Sequence, residues 1–207
     1  MKEMKNKIEK DFKNKKIIIL VIFILFILGL LFGSLYITIM DNSNKKIIIE
    51  TVNNHFKSYN NISFSSKLLI FKNTLTSNLL YFAVMWLLGL SIIGLPLIGL
   101  MIFFKSFITG FSVASIFACY KFKGFIGILI YLFPSNLIFL FLSMFLGVYS
   151  LNLAIKLGNN ALCKKTLNFG LFMGKYFFVL LICILICVAC SLFEAFISPL
   201  FYNLFTK

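Results

Sequence analysis

The chain has 207 residues, of which 61% are hydrophobic and only 13% are charged. Roughly a quarter of the residues in an ordinary soluble domain are charged, so this composition excludes a soluble enzyme domain. The apolar residues stand in long charge-free runs. We therefore predict an all-α fold, a polytopic membrane helical bundle of about five transmembrane helices with proline-broken spans and one outer amphipathic loop.

The net charge of +14 comes from twenty lysines set against six acidic residues. These lysines flank the hydrophobic runs and do not form a single surface that could face a nucleic-acid groove, so we expect no nucleic-acid partner. Lysines at the ends of spans attract anionic lipid and set membrane topology. The predicted partner of this charge is the lipid bilayer, and the oligomeric state stays open.

The first predicted elements are a basic cytoplasmic tail at 1–16, which holds seven lysines, and TM1 at 17–40. The uncharged run is long enough for a span, and its length and the missing small-x-small pattern favour an uncleaved anchor over a signal peptide. Gly29 and Gly33 form a G-x-x-x-G pair in this span, which would allow close contact with another helix.

Residues 41–78 form the only sizeable polar segment, which we predict to be an extracytoplasmic loop of two short amphipathic helices. A weaker apolar stripe precedes a stronger one, and the stronger stripe supplies the partner-docking candidates Phe64, Leu68, Phe71 and Leu75. His55, the only histidine, lies beside the weaker stripe. One histidine without clustered carboxylates or thiols is a poor indication of a metal or catalytic site.

The next two predicted spans, TM2 at 79–104 and TM3 at 106–120, are separated by a single charged residue, Lys105. TM3 is short for a bilayer, but the two runs together have about twice the twenty residues needed per crossing. We therefore predict a helical hairpin with Lys105 at its tip, snorkelling to the headgroups at the inner face. The alternative is a charge that acts inside the bilayer. Gly110 begins a small-residue face on which the hairpin could close.

Residues 124–155 are uncharged and too long for one straight span, so we predict TM4 with a break at Pro134. Ser135 and Asn136 could satisfy the freed backbone groups. TM2 is similarly interrupted at Gly94 and Pro96. Two broken spans are typical of transporters, so a small permease or channel-like subunit stays as an alternative function.

The last predicted elements are a cytoplasmic loop at 156–175, TM5 at 176–198 and an outer tail at 199–207. Lysine density is highest in the amino-terminal tail, and inner segments of membrane proteins carry the excess of lysine. We therefore predict a cytoplasmic amino terminus and an extracytoplasmic carboxyl terminus.

The apolar spans offer one acid, Glu194, and neither histidine nor aspartate. An intramembrane carboxylate is a functional hypothesis by default. Glu194 lies within one turn of the predicted end of TM5, where it would reach interfacial water or contact another helix. It shares a helical stripe with Cys183, Cys187 and Cys190, whose mid-span position favours small-residue packing over a metal or redox site. We expect no enzyme activity, no catalytic residues, no cofactor and no metal.

Two stretches resemble the stage II sporulation protein M family: NLLYFAVMWLLGLSIIGLPLIGLMIFFKSFITGFSVASIF (78–117) and KGFIGILIYLFPSNLI (123–138). The features that carry the resemblance are an Asn before the second span, a G-x-P pattern, a polar residue before a small-residue helix, and a Pro-x-Asn break. They map to Asn78, Gly94, Pro96, Lys105, Gly110, Pro134 and Asn136.

The resemblance implies a multi-pass protein of the mother-cell septal or engulfing membrane in spore-forming bacteria. Members of this family are thought to hold a lytic transglycosylase and an amidase–endopeptidase, the D and P proteins of stage II, at the septal membrane. The expected function is therefore a non-enzymatic scaffold for a peptidoglycan-remodelling complex in forespore engulfment.

Overall fold

The protein is a bundle of long helices. The structure, a computed structural model, describes residues 2–58, 63–121, 135–163 and 169–197, together with 125, 128 and 199. The helices are α1 (Lys2–Ile39), α2 (Asn42–Ser58), α3 (Phe64–Leu88), α4 (Gly94–Tyr120), α5 (Leu137–Cys163) and α6 (Phe169–Phe196). No strand occurs in these segments.

Five of the helices are long and apolar enough to cross a membrane, and α2 is the exception. The five apolar stretches are Lys16–Ile39, Phe64–Leu88, Gly94–Tyr120, Leu137–Gly158 and Met173–Phe196. The prediction of an all-helical, five-span membrane protein is therefore confirmed.

Aromatic contacts define the two ends of the bundle. The Phe64 and Phe196 ring centroids lie 6.1 Å apart, and those of Trp86 and Tyr176 lie 5.5 Å apart, so α3 and α6 run antiparallel. We call the end that holds the connection at 89–93 the turn end, and the opposite end, next to α2, the α2 end. The spans of α1, α4 and α6 begin at the turn end, whereas α3 and α5 begin at the α2 end.

The closest helix contact in the bundle joins α1 to α4, which run parallel. A Cβ atom on Gly29 would lie 2.6 Å from the carbonyl oxygen of Phe103, and one on Gly33 would collide with the carbonyl oxygen of Phe107. Only glycine lets the two backbones approach this closely. The predicted close contact through the G-x-x-x-G pair is confirmed, because small residues allow the packing that holds helices together in lipid.

Gly110 belongs to the same contact and does not close a hairpin between the second and third spans. A Cβ atom at this position would collide with the backbone of Leu30 in α1. The structure thus corrects the partner that we predicted for the small-residue face of α4.

The chain does not turn at Lys105, which lies in the middle of α4, a continuous helix of 27 residues. The connection between the second and third spans runs instead through residues 89–93, where the amide of Gly89 donates to Met85 and that of Gly94 to Ser91. The predicted boundaries at 79–104 and 106–120 are corrected accordingly. The division at Lys105 failed because the second span begins at Phe64, well before residue 79.

Gly94 and Pro96 open α4 and do not interrupt a span. A proline in the first turn of a helix removes an amide that has no intrahelical partner there, so it is tolerated. At Gly94 a Cβ atom would lie 2.6 Å from the carbonyl carbon of Leu88, so the tight connection requires glycine.

In the described parts of the predicted loop at 41–78, which are residues 41–58 and 63–78, α2 is the only separate amphipathic helix. The second apolar stripe forms the first turns of the membrane helix α3. Phe64 and Leu68 are exposed, whereas Phe71 and Leu75 are half-buried and Leu75 packs against the core. The polar residues between them misled the prediction, because a helix of 25 residues can hold several polar side chains near its end and still span.

The core lies where α1, α3, α4, α5 and α6 meet. Its fully buried residues include Ile22, Phe82, Ile98, Leu146 and Cys187. Large apolar side chains cover the outside of the bundle, such as Leu185, which is 70% exposed. This inside-out distribution is suited to a hydrocarbon solvent, which removes the need for a polar exterior.

Two further boundaries differ from the prediction. α5 continues to Cys163 and α6 begins at Phe169, so the predicted loop at 156–175 is partly helical. Pro134, at which we predicted a break in TM4, lies outside the described residues, as does the outer tail apart from residue 199.

Candidate functional site

A charged side chain occupies the interior of the bundle at the middle of α4. Lys105 is partly buried, and its Nζ atom lies 4.4 Å from the ring centroid of Phe139 and 5.8 Å from that of Tyr81. Aromatic faces attract a cation, and the attraction is stronger where water is excluded. The lysine therefore points into the bundle between α3 and α5 and not to the headgroups.

Glu194 in α6 supplies the opposite charge in the same region. It interacts electrostatically with Lys105 and makes a side-chain hydrogen bond with Ser135. Ser135 is buried and belongs to the short π-helical segment that leads into α5. A carboxylate taken out of water needs such a donor and a nearby cation, because burying it alone is very costly.

We call Lys105, Glu194, Ser135 and Phe139 the charged cluster. Two hydroxyl groups border it near Phe139. The Tyr81 hydroxyl donates a hydrogen bond to the carbonyl oxygen of Met101 at 3.2 Å and lies beside the Ser143 hydroxyl. Ser143 donates to the carbonyl oxygen of Leu140 at 2.7 Å. These contacts hold the Tyr81 ring in place next to the ammonium group, so the cation–π geometry is supported by α3, α4 and α5 together.

Ser191 and Cys187 border the cluster from α6, on the face that carries Glu194. Both side chains are fully buried, and the Cys187 thiol interacts electrostatically with Lys105. The Ser191 hydroxyl lies beside the Cys187 thiol and makes no other hydrogen bond within the part of the chain that the structure describes. A thiol is a weak hydrogen-bonding group, so the polar packing at this position is weaker than at a hydroxyl paired with oxygen.

The cysteine stripe of α6 packs in the core. Cys183, Cys187 and Cys190 are all buried, and none forms a disulfide. Among the residues that the structure describes, no group of three His, Cys, Asp or Glu side chains is placed to hold a metal ion.

A second polar contact ties α3, α5 and α6 together at the turn end. The Tyr176 hydroxyl lies 2.7 Å from Ser150 Oγ and donates to the Trp86 carbonyl oxygen at 2.8 Å, while the Trp86 and Tyr176 rings stack. A Cβ atom on Gly89 would collide with the same hydroxyl. Gly89 thus leaves room for Tyr176 beside the connection to α4.

The family model of stage II sporulation protein M matches residues 22–199, which include the five apolar spans almost completely and every residue of the charged cluster. The chain belongs to the stage II sporulation protein M family. No curated protein and no solved structure matches the chain. Membership makes this protein a multi-pass membrane protein of sporulation, in agreement with its five apolar helices.

In this member of the stage II sporulation protein M family, the residues singled out in the sequence do not form one site. Gly94 and Pro96 lie at the turn end and Gly110 faces α1, whereas Lys105 and Glu194 share the charged cluster. Asn136 is half-buried and adjoins Ser135, the hydrogen-bond partner of Glu194.

The electrostatic interaction of Lys105 with Glu194 was not predicted, and neither were the supporting roles of Tyr81, Phe139 and Ser143. A signal was present, because these two residues are the isolated charges of opposite sign in otherwise apolar runs. Charged residues inside membranes pair with one another, so opposite isolated charges are candidates for contact. The arrangement offers electrostatic attraction and hydrogen bonding among α3, α4, α5 and α6.

Proposed function

We propose that this stage II sporulation protein M family member is a non-enzymatic membrane scaffold for forespore engulfment. It would hold a lytic transglycosylase and an amidase–endopeptidase, the D and P proteins of stage II, at the septal membrane. Membership in a sporulation family supports the proposal. The observation that carries it is α2, a helix outside the five apolar spans that is held in a defined position against the bundle.

The position of α2 is set by contacts at both α1 and α4. The Lys45 ammonium group donates to the carbonyl oxygen of Thr38 at 3.0 Å, and Cys119 Sγ lies 4.0 Å from the carbonyl oxygen of Ile49. Ile47 points away from these contacts and is 62% exposed. A large apolar side chain that is exposed on a polar helix is suited to a partner surface.

The first turns of α3 present further exposed apolar side chains at the same end of the bundle. Phe64 is 66% exposed and Leu68 is 46% exposed, and the Phe64 ring contacts the Phe196 ring. We define the α2-end surface as Ile47, Phe64 and Leu68. It is where the partner enzymes would dock, and the half-buried Phe71 and Leu75 would support α3 without contacting a partner.

The proposed orientation places the amino terminus in the cytoplasm and the α2-end surface outside, on the side of the peptidoglycan. The lysine-rich tail supports this orientation, because inner segments are enriched in lysine. A thiol-specific aqueous reagent should label Ser91→Cys, at the exposed connection between α3 and α4, from the cytoplasmic side only. Lys105→Cys should resist the reagent from both sides, since residue 105 lies inside the bundle; labelling of Ser91→Cys from outside would reverse the orientation.

The buried charges keep a small permease or channel-like subunit as the second candidate. Lys105 and Glu194 inside a bundle are the kind of residues that mark ion or solute pathways. Gly94 and Pro96 open α4 and do not break a span, so they give this candidate no support. Ion or solute flux in proteoliposomes that is lost in Lys105→Met would favour this function over the scaffold.

The scaffold is tested by photo-crosslinking in sporulating cells. A photoreactive residue at Ile47 or at Leu68 should crosslink to a protein with the mass and peptides of the transglycosylase or the amidase–endopeptidase. The same residue at Leu185, which is exposed on the membrane-facing side of α6, is the matched control and should crosslink to lipid alone.

Variants that introduce charge at the α2-end surface provide the second arm of the test. Ile47→Asp combined with Leu68→Asp should abolish recovery of both enzymes with the full-length protein, because charged side chains would replace the apolar contact. Leu185→Asn serves as the membrane-facing control. Unchanged enzyme recovery with a correctly inserted double variant would refute docking at the α2-end surface.

A further inference from the structure

A groove of about 420 Å³ lies between α1 and α5 on the outside of the bundle. Its walls are aliphatic and aromatic, including Ile19, Val148 and Tyr149, and the amide of Asn152 is its polar group. Ile19 is 50% exposed and Tyr149 is 40% exposed, so the groove opens toward the surrounding membrane. Its volume is within the range of sites that bind small molecules.

The polar end of the groove lies near the turn end of the bundle. Asn152 is the groove residue closest to the end of the α5 span, and Lys156 follows it by one helical turn on the same face. On α1, Lys16 is exposed at the start of the span, one turn before Ile19. The groove therefore has an apolar length within the membrane and a basic, amide-containing mouth at the depth of the headgroups.

We propose that this groove binds one anionic phospholipid. Its acyl chain would lie against Ile19, Val148 and Tyr149, and its phosphate would interact with Lys16 and Asn152. Basic pockets between transmembrane helices are suited to anionic headgroups, and each lysine near the membrane surface attracts them. The inference is independent of the scaffold function, because it concerns a different face and end of the molecule.

Charge also decides between a lipid and a second copy of this chain. A second copy in the same membrane has its own lysines at the depth of Lys16, and the chain as a whole carries a net charge of +14. Like charges would repel at the mouth of the groove, whereas a phosphate neutralises them. The groove is therefore assigned to the lipid and not to an interface between copies.

The test uses the full-length protein in vesicles with a photoactivatable acyl chain on either phosphatidylglycerol or phosphatidylcholine. Crosslinked peptides should come from α1 and α5 around Ile19 and Val148. Labelling there should be about fivefold greater with phosphatidylglycerol, as expected for one lysine that contacts the headgroup. Equal labelling by the two lipids, or labelling spread evenly over all membrane-facing helices, would overturn the proposal.

Matched variants separate the two parts of the site. Val148→Trp fills the groove and should remove the labelling of α1 and α5, whereas Leu185→Trp, on the exposed face of α6, should leave it unchanged. Lys16→Gln should lose the preference for phosphatidylglycerol, and Lys72→Gln, an exposed lysine on α3, should keep it.

If Val148→Trp disturbs packing, the comparison of Lys16→Gln with Lys72→Gln still tests the proposal. Retained phosphatidylglycerol preference in Lys16→Gln contradicts the proposed headgroup contact. Protein-to-protein crosslinks from positions in the groove would instead assign it to a second copy and would also overturn the proposal.

Discussion

The two faces of α4 are held to the bundle in opposite ways. On the face toward α1, Gly29, Gly33 and Gly110 bring the two backbones together, and aromatic pairs such as Tyr36 and Phe107 flank the contact. The face toward α5 and α6 places the long side chain of Lys105 against the Phe139 ring and near Glu194.

The difference follows from the solvent. Lipid is as apolar as leucine, so burying apolar side chains contributes little to helix association in the membrane. Close backbone packing and the pairing of polar groups remain as the available sources of stability. The α1 face should therefore be sensitive to added volume, whereas the cluster face should be sensitive to the loss of a partner.

The largest expected effect is at the α1 face. Gly33→Val places methyl groups where the carbonyl oxygen of Phe107 lies, and the two backbones must separate. We expect a loss of about 3 kcal/mol in unfolding free energy, at the upper end of the usual cost of overpacking. Gly174→Val is the matched control, since a Cβ atom there meets nothing within 4 Å. The measurement is unfolding in detergent, and equal destabilisation by both variants would contradict the close contact.

The second effect tests the cluster face. Lys105→Met leaves Glu194 without its nearby cation, and Glu194→Gln leaves Lys105 without its counter-charge. Each single variant should lose about 2 kcal/mol, less than a fully buried ion pair would because Lys105 is only partly buried. The double variant should lose less than the sum of the two, and a double-mutant cycle of unfolding free energies measures the difference. Strict additivity would show that the two charges do not interact.

The smallest effect distinguishes a hydroxyl that is paired with another hydroxyl from one that lies beside a thiol. Ser150→Ala removes a hydroxyl that lies 2.7 Å from the Tyr176 hydroxyl and should cost about 1 kcal/mol. Ser191→Ala removes a buried hydroxyl that lies beside the Cys187 thiol, a weak hydrogen-bonding group, and should cost less than Ser150→Ala. The comparison uses the same unfolding assay, and a larger loss at Ser191 would mean that this hydroxyl is paired within the cluster.

Most of the fold could be predicted from the sequence, because hydrophobicity over eighteen or more residues is a local property. The five spans and the close contact at Gly29 and Gly33 followed from composition and spacing. The start of α3 did not, since a few polar residues near the α2 end can belong to a loop or to the first turns of a long helix. The candidate site was predicted only as separate residues.

The location of the Lys105 side chain could not be predicted from the sequence. Its position within an apolar run determined that the lysine is unusual, but a flexible ammonium side chain can either snorkel to the headgroups or be retained in the interior. The interior position is stabilised by Phe139, on α5, and by Glu194, on α6. The sequence by itself determined the membrane class, the number of spans and the identity of the isolated charges. Only the tertiary structure decided that those charges share one region of the interior, because the cost of burying each depends on a partner that is distant in the chain.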